Sequence, residues 1–168
     1  VLMLSATFTG MILNHYETAL AACIALNAFI PMITGTGGNS GTQASVAVIR
    51  ALSLDEVAFR DVGRVVWKEL RVALLCGACL GGANFVKMML VDRLLLGNAA
   101  VTPAVALVVC LTLLFVVCFA KFVGCSLPIL AEKLGLDPAV MASPFISTVV
   151  DAVSLIIYFS FASLLLGI

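Results

Sequence analysis

Long apolar stretches, separated by short polar breaks, constrain this 168-residue chain more than any other feature. A helix that crosses a membrane needs about 20 mostly apolar residues, and most of these stretches reach that length. The breaks lie near residues 14–18, 51–68, 91–100 and 126–138. The chain therefore predicts five helices, over residues 1–14, 19–50, 69–90, 101–125 and 139–165.

The composition supports a membrane protein over a soluble one. Hydrophobic residues make up 63% of the chain and charged residues 11%, whereas soluble domains carry about 25% charged residues. We expect an all-α integral membrane protein, with the lipid bilayer as its surroundings and one transmembrane domain over residues 1–168. The net charge is zero, which gives no support to nucleic-acid binding. Residues 1–14 are short for a complete span, so we expect the first helix to begin before Val1.

Lys and Arg are unevenly distributed among the connections. The region from Arg50 to Arg71 carries five, Lys121 and Lys133 add two on the same predicted side, and the region from Lys87 to Arg93 carries two. Cytoplasmic connections are enriched in Lys and Arg. The pattern predicts a multi-pass plasma-membrane protein with a cytoplasmic N-terminus and an extracytoplasmic C-terminus.

The second predicted helix is too long and too rich in glycine for an ordinary span. Its 32 residues would measure roughly 48 Å as a straight helix, against a hydrocarbon core of about 30 Å. Between Pro31 and Gln43 it carries four glycines and several polar side chains. We expect a break there or a helix surface that another helix approaches closely; small-residue packing alone is the simpler alternative.

Asp151 is the sole charged residue between Ala139 and Ile168. A charged side chain near the bilayer centre costs roughly 2.5–3.5 kcal/mol on insertion scales, so it normally faces a partner or an ion path. It belongs to a stripe of polar residues at helical spacing: Ser143, Ser147, Asp151, Ser154 and Tyr158. Because the sequence offers no fixed cation nearby, we expect a mobile one. A structural carboxylate bonded to a nearby serine, a proton relay and a non-transporting membrane anchor are the alternatives.

The surrounding residue types favour a hard divalent cation. Counted along the second helix, Gly35 to Gln43 lies at the depth of the inner half of the membrane, so this segment and the stripe can share one aqueous path. Carboxylate, hydroxyl, amide and carbonyl oxygens suit Mg²⁺, and the composition alone does not separate it from Ca²⁺, Mn²⁺ or Co²⁺. Glu69 is either an interfacial ion-pair residue beside Lys68 and Arg71 or part of the inner mouth of that path.

Two short motifs suggest enzyme or redox chemistry and are better explained otherwise. Gly38 to Gly41 is a GxSG sequence, as in serine-dependent intramembrane proteases, but the single histidine, His15, is predicted at the far end of the helix. Cys76 and Cys79 form a CxxC within an apolar helix, where cysteine behaves as a small hydrophobic residue. We therefore expect neither an enzyme nor a redox or zinc site.

Two longer motifs carry a resemblance to a known family. Residues 31–52, PMITGTGGNSGTQASVAVIRAL, closely resemble the second-helix motif of MgtE magnesium channels and transporters, which are related to eukaryotic solute-carrier magnesium transporters. Residues 136–151, LDPAVMASPFISTVVD, with LIIYF at 155–159, resemble the fifth-helix motif of the same family. Both occur in the family's order, and the resemblance covers essentially the whole chain.

The resemblance implies a homodimer with five transmembrane helices per subunit and a central pore lined by helices 2 and 5. Asp151 matches the family's pore aspartate, so two carboxylates would bind one hydrated Mg²⁺, and Ser147 matches a position that contributes a backbone carbonyl. We add residues that are expected to line the pore: Gly38, Asn39, Ser143, Ser154 and Glu69.

The implied function is a Mg²⁺ channel domain that takes up Mg²⁺ down its electrochemical gradient, with Mg²⁺ as the transported ion and not a cofactor. The alternative is a secondary transporter of Mg²⁺, Co²⁺ or another divalent cation, coupled to H⁺ or Na⁺. Bacterial members of the family usually carry a cytoplasmic N domain and CBS domains that sense Mg²⁺. This chain contains neither, so we expect either a membrane domain cut from a longer chain that carries a cytoplasmic regulatory domain or a shortened homologue, and the start at Val1 favours the first.

Overall fold

The regular structure of this chain is helical throughout the residues that the computed structural model describes, which are 2–141 and 144–167. The predicted all-α class is confirmed. The α-helices are α1 (Leu2–His15), α2 (Glu17–Ala22), α3 (Ile30–Ser53), α4 (Val62–Lys87), α5 (Pro103–Lys133) and α6 (Pro144–Leu166). Short 3₁₀ turns cover Ile24–Phe29, Phe59–Asp61 and Pro138–Met141, and α4 continues as a π-helix over Met88–Leu95.

Three helical stretches of the described residues are long and apolar enough to cross a membrane: Phe59–Leu95, Pro103–Lys133 and Pro144–Leu166. The other two predicted spans correspond to α1, with 14 residues, and to α2 and α3 together with the turn between them. Because α3 combines four glycines with hydroxyl and amide side chains, it is less apolar than the other long helices.

Helix α5 is the central element, packed against α3, α4 and α6. The helices approach closely where glycines leave room. The backbones of Gly41 on α3 and Gly124 on α5 are in direct contact, and a Cβ at Gly77 on α4 would lie 3.0 Å from the Cα of Leu114 on α5. Small residues allow helices in a membrane to approach at backbone distance, which increases their van der Waals contact.

Aromatic contacts join α6 to the segment that precedes α3. The buried Tyr158 hydroxyl donates a hydrogen bond to the Leu26 carbonyl at 3.0 Å. Phe159 stacks on Tyr16, with ring centroids 4.6 Å apart. The Leu26 carbonyl lies in a 3₁₀ turn, and an unbonded carbonyl in an apolar core costs about 1–3 kcal/mol. Tyr158 therefore has a structural partner and does not face an aqueous path.

The predicted long second helix is interrupted, but not at its glycines. Helix α3 runs without a break across Gly35 and Gln43, and the interruption lies upstream in the turn Ile24–Phe29. Of the two possibilities predicted for the glycine segment, a closely approached surface is therefore confirmed and a break is wrong. Pro31 lies in the first turn of α3, where its missing N–H costs no helical hydrogen bond.

Several predicted helix boundaries are also wrong. Helix α4 begins earlier, at Val62, and α5 continues to Lys133 with Pro128 in its interior. Proline is tolerated inside membrane helices where neighbouring elements cover the freed carbonyl, and Pro128 is buried. The last break holds a cap for the 3₁₀ turn that precedes α6, since the Asp137 carboxylate accepts a hydrogen bond from the Ala139 N–H at 2.9 Å.

Candidate functional site

A polar recess lies between α3 and α6 and contains Asp151. It has a volume of about 380 Å³ and is open at the surface of the single chain. Its α3 wall consists of residues three or four apart, which places them on one helix face. The recess, hereafter the Asp151 recess, is lined by Pro31, Thr34, Gly35, Gly38, Asn39, Thr42, Ser147 and Asp151.

The Asp151 carboxylate is partly buried and lies one helical turn after Ser147. Among residues 2–141 and 144–167, no side chain forms an ion pair with it and no donor forms a hydrogen bond to it. A carboxylate within a membrane-spanning helix is costly without a counter-charge, and it usually marks a path for ions or protons. The geometry therefore leaves Asp151 available to a ligand in the recess.

Gly38 brings the backbone of α3 close to this carboxylate. A Cβ at Gly38 would lie 3.6 Å from the Ser147 Oγ and 3.8 Å from the Asp151 Oδ1. These are ordinary van der Waals distances, so a methyl group would fit but would take up space beside the carboxylate. The absence of a side chain here widens the recess at the level of Asp151.

Gly37 faces the opposite way and fixes the distance between the helices. A Cβ at Gly37 would lie 2.7 Å from Val116 on α5 and 2.8 Å from Val150 on α6, both too close for a real contact. The same position is 3.1 Å from the Ser154 Oγ. Adjacent glycines of α3 thus serve different surfaces, one packed against protein and one lining the recess.

The predicted site residues fall into separate places. Gly38, Asn39, Ser147 and Asp151 line the recess together. Ser154 is fully buried behind Gly37, without a hydrogen-bond partner among the described residues, and it does not line the recess. Ser143 lies outside the described residues.

Glu69 lies elsewhere, between α4 and α5. Its carboxylate accepts a hydrogen bond from the Lys121 Nζ at 2.8 Å, and the two side chains are 17% and 14% exposed. An ion-pair role was one of the two interpretations of Glu69, but the partner comes from α5 and not from Lys68 or Arg71. The sequence gives no direct signal for this pair, because its members are 52 positions apart.

Thr34 and Thr42 are lining residues that the sequence interpretation missed. Their spacing with Gly38 on one face of α3 is a signal that could have identified them. The Thr34 hydroxyl donates to the Ile30 carbonyl at 3.1 Å, so its oxygen lone pairs remain able to accept or to bind a cation. The two hydroxyls place neutral oxygen atoms in the same recess as the single carboxylate.

A second recess continues the first along α3. It has a volume of about 400 Å³, shares Asn39 and Thr42 with the Asp151 recess, and extends to Arg50 near the end of the helix. The shared residues make the two recesses parts of one groove along the surface of α3. The groove leads from the start of α3 to its last turns, which is the direction that a path across a membrane needs.

His15, the single histidine, lies apart from the GxSG sequence, as expected: it lines a different recess with Phe8, Met11 and Ile156 and contacts the ring of Tyr16. It is not among the residues that line the Asp151 recess. Cys76 and Cys79 are free thiols on the exposed side of α4.

The recess offers the kinds of oxygen atom that hard cations take as ligands. The described residues contain no group of three or more His, Cys, Asp or Glu side chains that could hold a metal ion. One carboxylate with hydroxyl, amide and carbonyl oxygens suits an ion that keeps most of its water. This is the donor set that Mg²⁺ prefers and that softer metals do not.

Comparison with known proteins agrees with this donor set. The MgtE family, described as a divalent cation transporter, matches residues 30–161, which include α3 to α5 and the part of α6 that carries Asp151. This chain belongs to the MgtE family. The match spans both walls of the Asp151 recess.

Relatives of this MgtE-family chain are named as magnesium transporters. It is 38% identical to "Magnesium transporter MgtE" of Thermus thermophilus, over 99% of this chain and 35% of the relative. The proteins of the same name from Bacillus subtilis and Enterococcus faecalis are 34% and 32% identical, over 97% and 93% of this chain. The chain spans about a third of the length of these curated relatives.

Proposed function

We propose that the Asp151 recess is half of a Mg²⁺-conducting pore, formed where two copies of this chain meet, through which Mg²⁺ enters the cell down its electrochemical gradient. One observation carries the proposal: a carboxylate in a membrane-spanning helix, without a partner among the described residues, opens into an oxygen-lined recess. The names of the three relatives support Mg²⁺ as the ion.

The size of the recess supports an ion that retains its water. Six water molecules occupy about 180 Å³ at the liquid value of roughly 30 Å³ each. The recess, at about 380 Å³, has room for an ion with a full first hydration shell. Since Mg²⁺ loses water reluctantly, the Asp151 carboxylate and the Ser147 carbonyl bind it through its hydration shell.

The open side of the recess supports a pore shared by two copies. Within the described residues of one chain the recess has a single carboxylate, and its walls come from α3 and α6 alone. A second copy related by a two-fold axis places another Asp151 and another α3 on the empty side. Two carboxylates then neutralise one divalent cation. In this arrangement each chain crosses the membrane five times, with its N-terminus in the cytoplasm.

The test is Mg²⁺ uptake into vesicles that contain the purified protein, driven by a membrane potential with no H⁺ or Na⁺ gradient. Asp151→Ala removes the carboxylate, so uptake should fall to the level of empty vesicles. Ser160→Ala is the matched control on the same helix, because Ser160 is exposed and, among the described residues, its hydroxyl bonds only the Ile156 carbonyl of its own helix. It should transport like the unmodified chain.

The outcomes separate the proposal from its alternatives. Normal uptake by the Asp151→Ala variant would refute the pore assignment. Uptake that requires an H⁺ or Na⁺ gradient would refute the channel mechanism and indicate a coupled transporter of the same ion.

A further inference from the structure

A basic patch lies at the start of α4 and in the 3₁₀ turn just before it, apart from the proposed ion path. Four cationic side chains follow one another at steps of four, four and three residues, a spacing that places them on one side of the helix. All are exposed, and the first two side chains are 89% and 87% accessible. The patch consists of Arg60, Arg64, Lys68 and Arg71.

The positive charge of the patch is largely uncompensated. Asp61 lies 3.9 Å from both Arg60 and Arg64, at the outer limit of an ion pair, and it can offset only one of them. Lys68 and Arg71 form no ion pair with the described residues. Glu69, the other carboxylate in this part of α4, is already neutralised by its bond to α5.

A further cation lies beside the patch. Lys133, at the end of α5, places its ammonium group 3.7 Å from the centre of the Phe59 ring, in the turn that leads into α4. The positive surface therefore includes groups from two elements.

The same side of α4 is apolar beyond the patch. Leu74 and Leu75 are 49% and 71% exposed, and Ala78, Cys79 and Gly82 follow on that side. In a membrane this surface faces acyl chains. Arg71 and Lys87 bound the apolar part of α4 and lie about 24 Å apart along the helix, a little less than the hydrocarbon thickness. The patch is therefore at the level of the lipid head groups, where long cationic side chains extend toward phosphate.

We propose that this patch binds the head groups of anionic phospholipids. Arginine binds phosphate oxygens through two parallel hydrogen bonds, and clusters of Lys and Arg beside a membrane span attract anionic lipids. Trp67 lies among these cations, 61% exposed and with the Arg71 guanidinium 6.0 Å from its ring centre. Tryptophan is enriched at this depth because its ring is apolar and its N–H is polar.

Trp67 also reports on the lipids beside the patch, because it is the single tryptophan of the chain. The protein is placed in mixed bilayers of phosphatidylcholine and phosphatidylglycerol. In one series the phosphatidylcholine is brominated, and in the other the phosphatidylglycerol is brominated. Bromine quenches tryptophan fluorescence at contact, so the two series give the relative affinity of each lipid for this site. We expect phosphatidylglycerol to be preferred about fivefold, the effect of roughly one fully engaged cation. The preference should fall in about 1 M salt, where charges are screened within about 3 Å.

The triple variant Arg64→Gln, Lys68→Gln, Arg71→Gln should quench equally with either lipid. The control variant Lys87→Gln, at the opposite end of α4, should keep the preference of the unmodified chain. Equal quenching in the unmodified chain would overturn the proposal and leave the patch as a solvated or protein-binding surface. A preference that survives the triple variant would also overturn it. Neither result depends on Mg²⁺ transport, so failure here is distinct from failure of the proposed pore.

Discussion

At the scale of single residues, two adjacent glycines of α3 contact different surfaces. Gly37 has no room for a methyl group, since Val116 and Val150 lie 2.7 and 2.8 Å from the position of its Cβ. A methyl group would fit at Gly38, but it would fill part of the recess beside Asp151. The sequence showed a glycine-rich helix face but not which glycine meets protein and which meets the recess, because that depends on the rotation of α3 about its axis.

The two glycines should therefore respond differently to alanine. Gly37→Ala should destabilise the fold by about 1–3 kcal/mol, the usual cost of an overpacked site. Gly38→Ala should leave stability within about 0.5 kcal/mol and slow Mg²⁺ uptake, because its methyl group narrows the recess. Thermal unfolding in detergent and the vesicle uptake assay measure the two effects. A Gly37→Ala variant as stable as the unmodified chain would show that Val116 and Val150 leave room for a methyl group at this position.

At the scale of elements, the ion pair between Glu69 and Lys121 joins α4 to α5 at the level of the basic patch. Both side chains are largely buried, so each charge compensates the other. Either charge without its partner would destabilise the folded state in an apolar surrounding. The sequence predicted ion pairing as one role of Glu69 but could not identify the partner, because the facing surfaces of two long helices are set by packing and not by local pattern.

Removing both members should cost less than the two single removals added together. Glu69→Gln should lower the free energy of unfolding by about 3 kcal/mol, because it leaves the Lys121 ammonium uncompensated. The double variant Glu69→Gln, Lys121→Gln should lose less than the sum of the two single variants, since no buried charge remains. Thermal unfolding of the unmodified chain, the two single variants and the double variant gives the interaction energy between the two side chains. Strict additivity would show that the two side chains do not interact in the membrane.

At the scale of the whole molecule, the helical class and the pairing of α3 with α6 could be predicted from the sequence. Apolar stretches of membrane length indicated helices, and the polar residues of two of them indicated a shared site. The boundaries were harder to predict. Helix α5 passes through Pro128 and α3 passes through Gly35, because burial against neighbouring helices outweighs the local preference of proline or glycine.

The open recess also makes a prediction about assembly. If two copies close the pore, the chain in mild detergent should have twice the 17.5 kDa protein mass of one chain. Light scattering coupled to gel filtration, corrected for bound detergent, measures that mass. A stable monomer that still conducts Mg²⁺ would contradict the shared pore.

In the proposed pore, Mg²⁺ occupies the space between two Asp151 carboxylates. The most direct test of this placement is an experimental structure of the assembled protein soaked with Mn²⁺, which takes the same octahedral oxygen ligands as Mg²⁺ and has a measurable anomalous signal. We expect one anomalous peak on the two-fold axis, at the depth of Asp151 and Ser147, and its loss in the Asp151→Ala variant. A recess without a peak, or a peak that persists in that variant, would contradict the account.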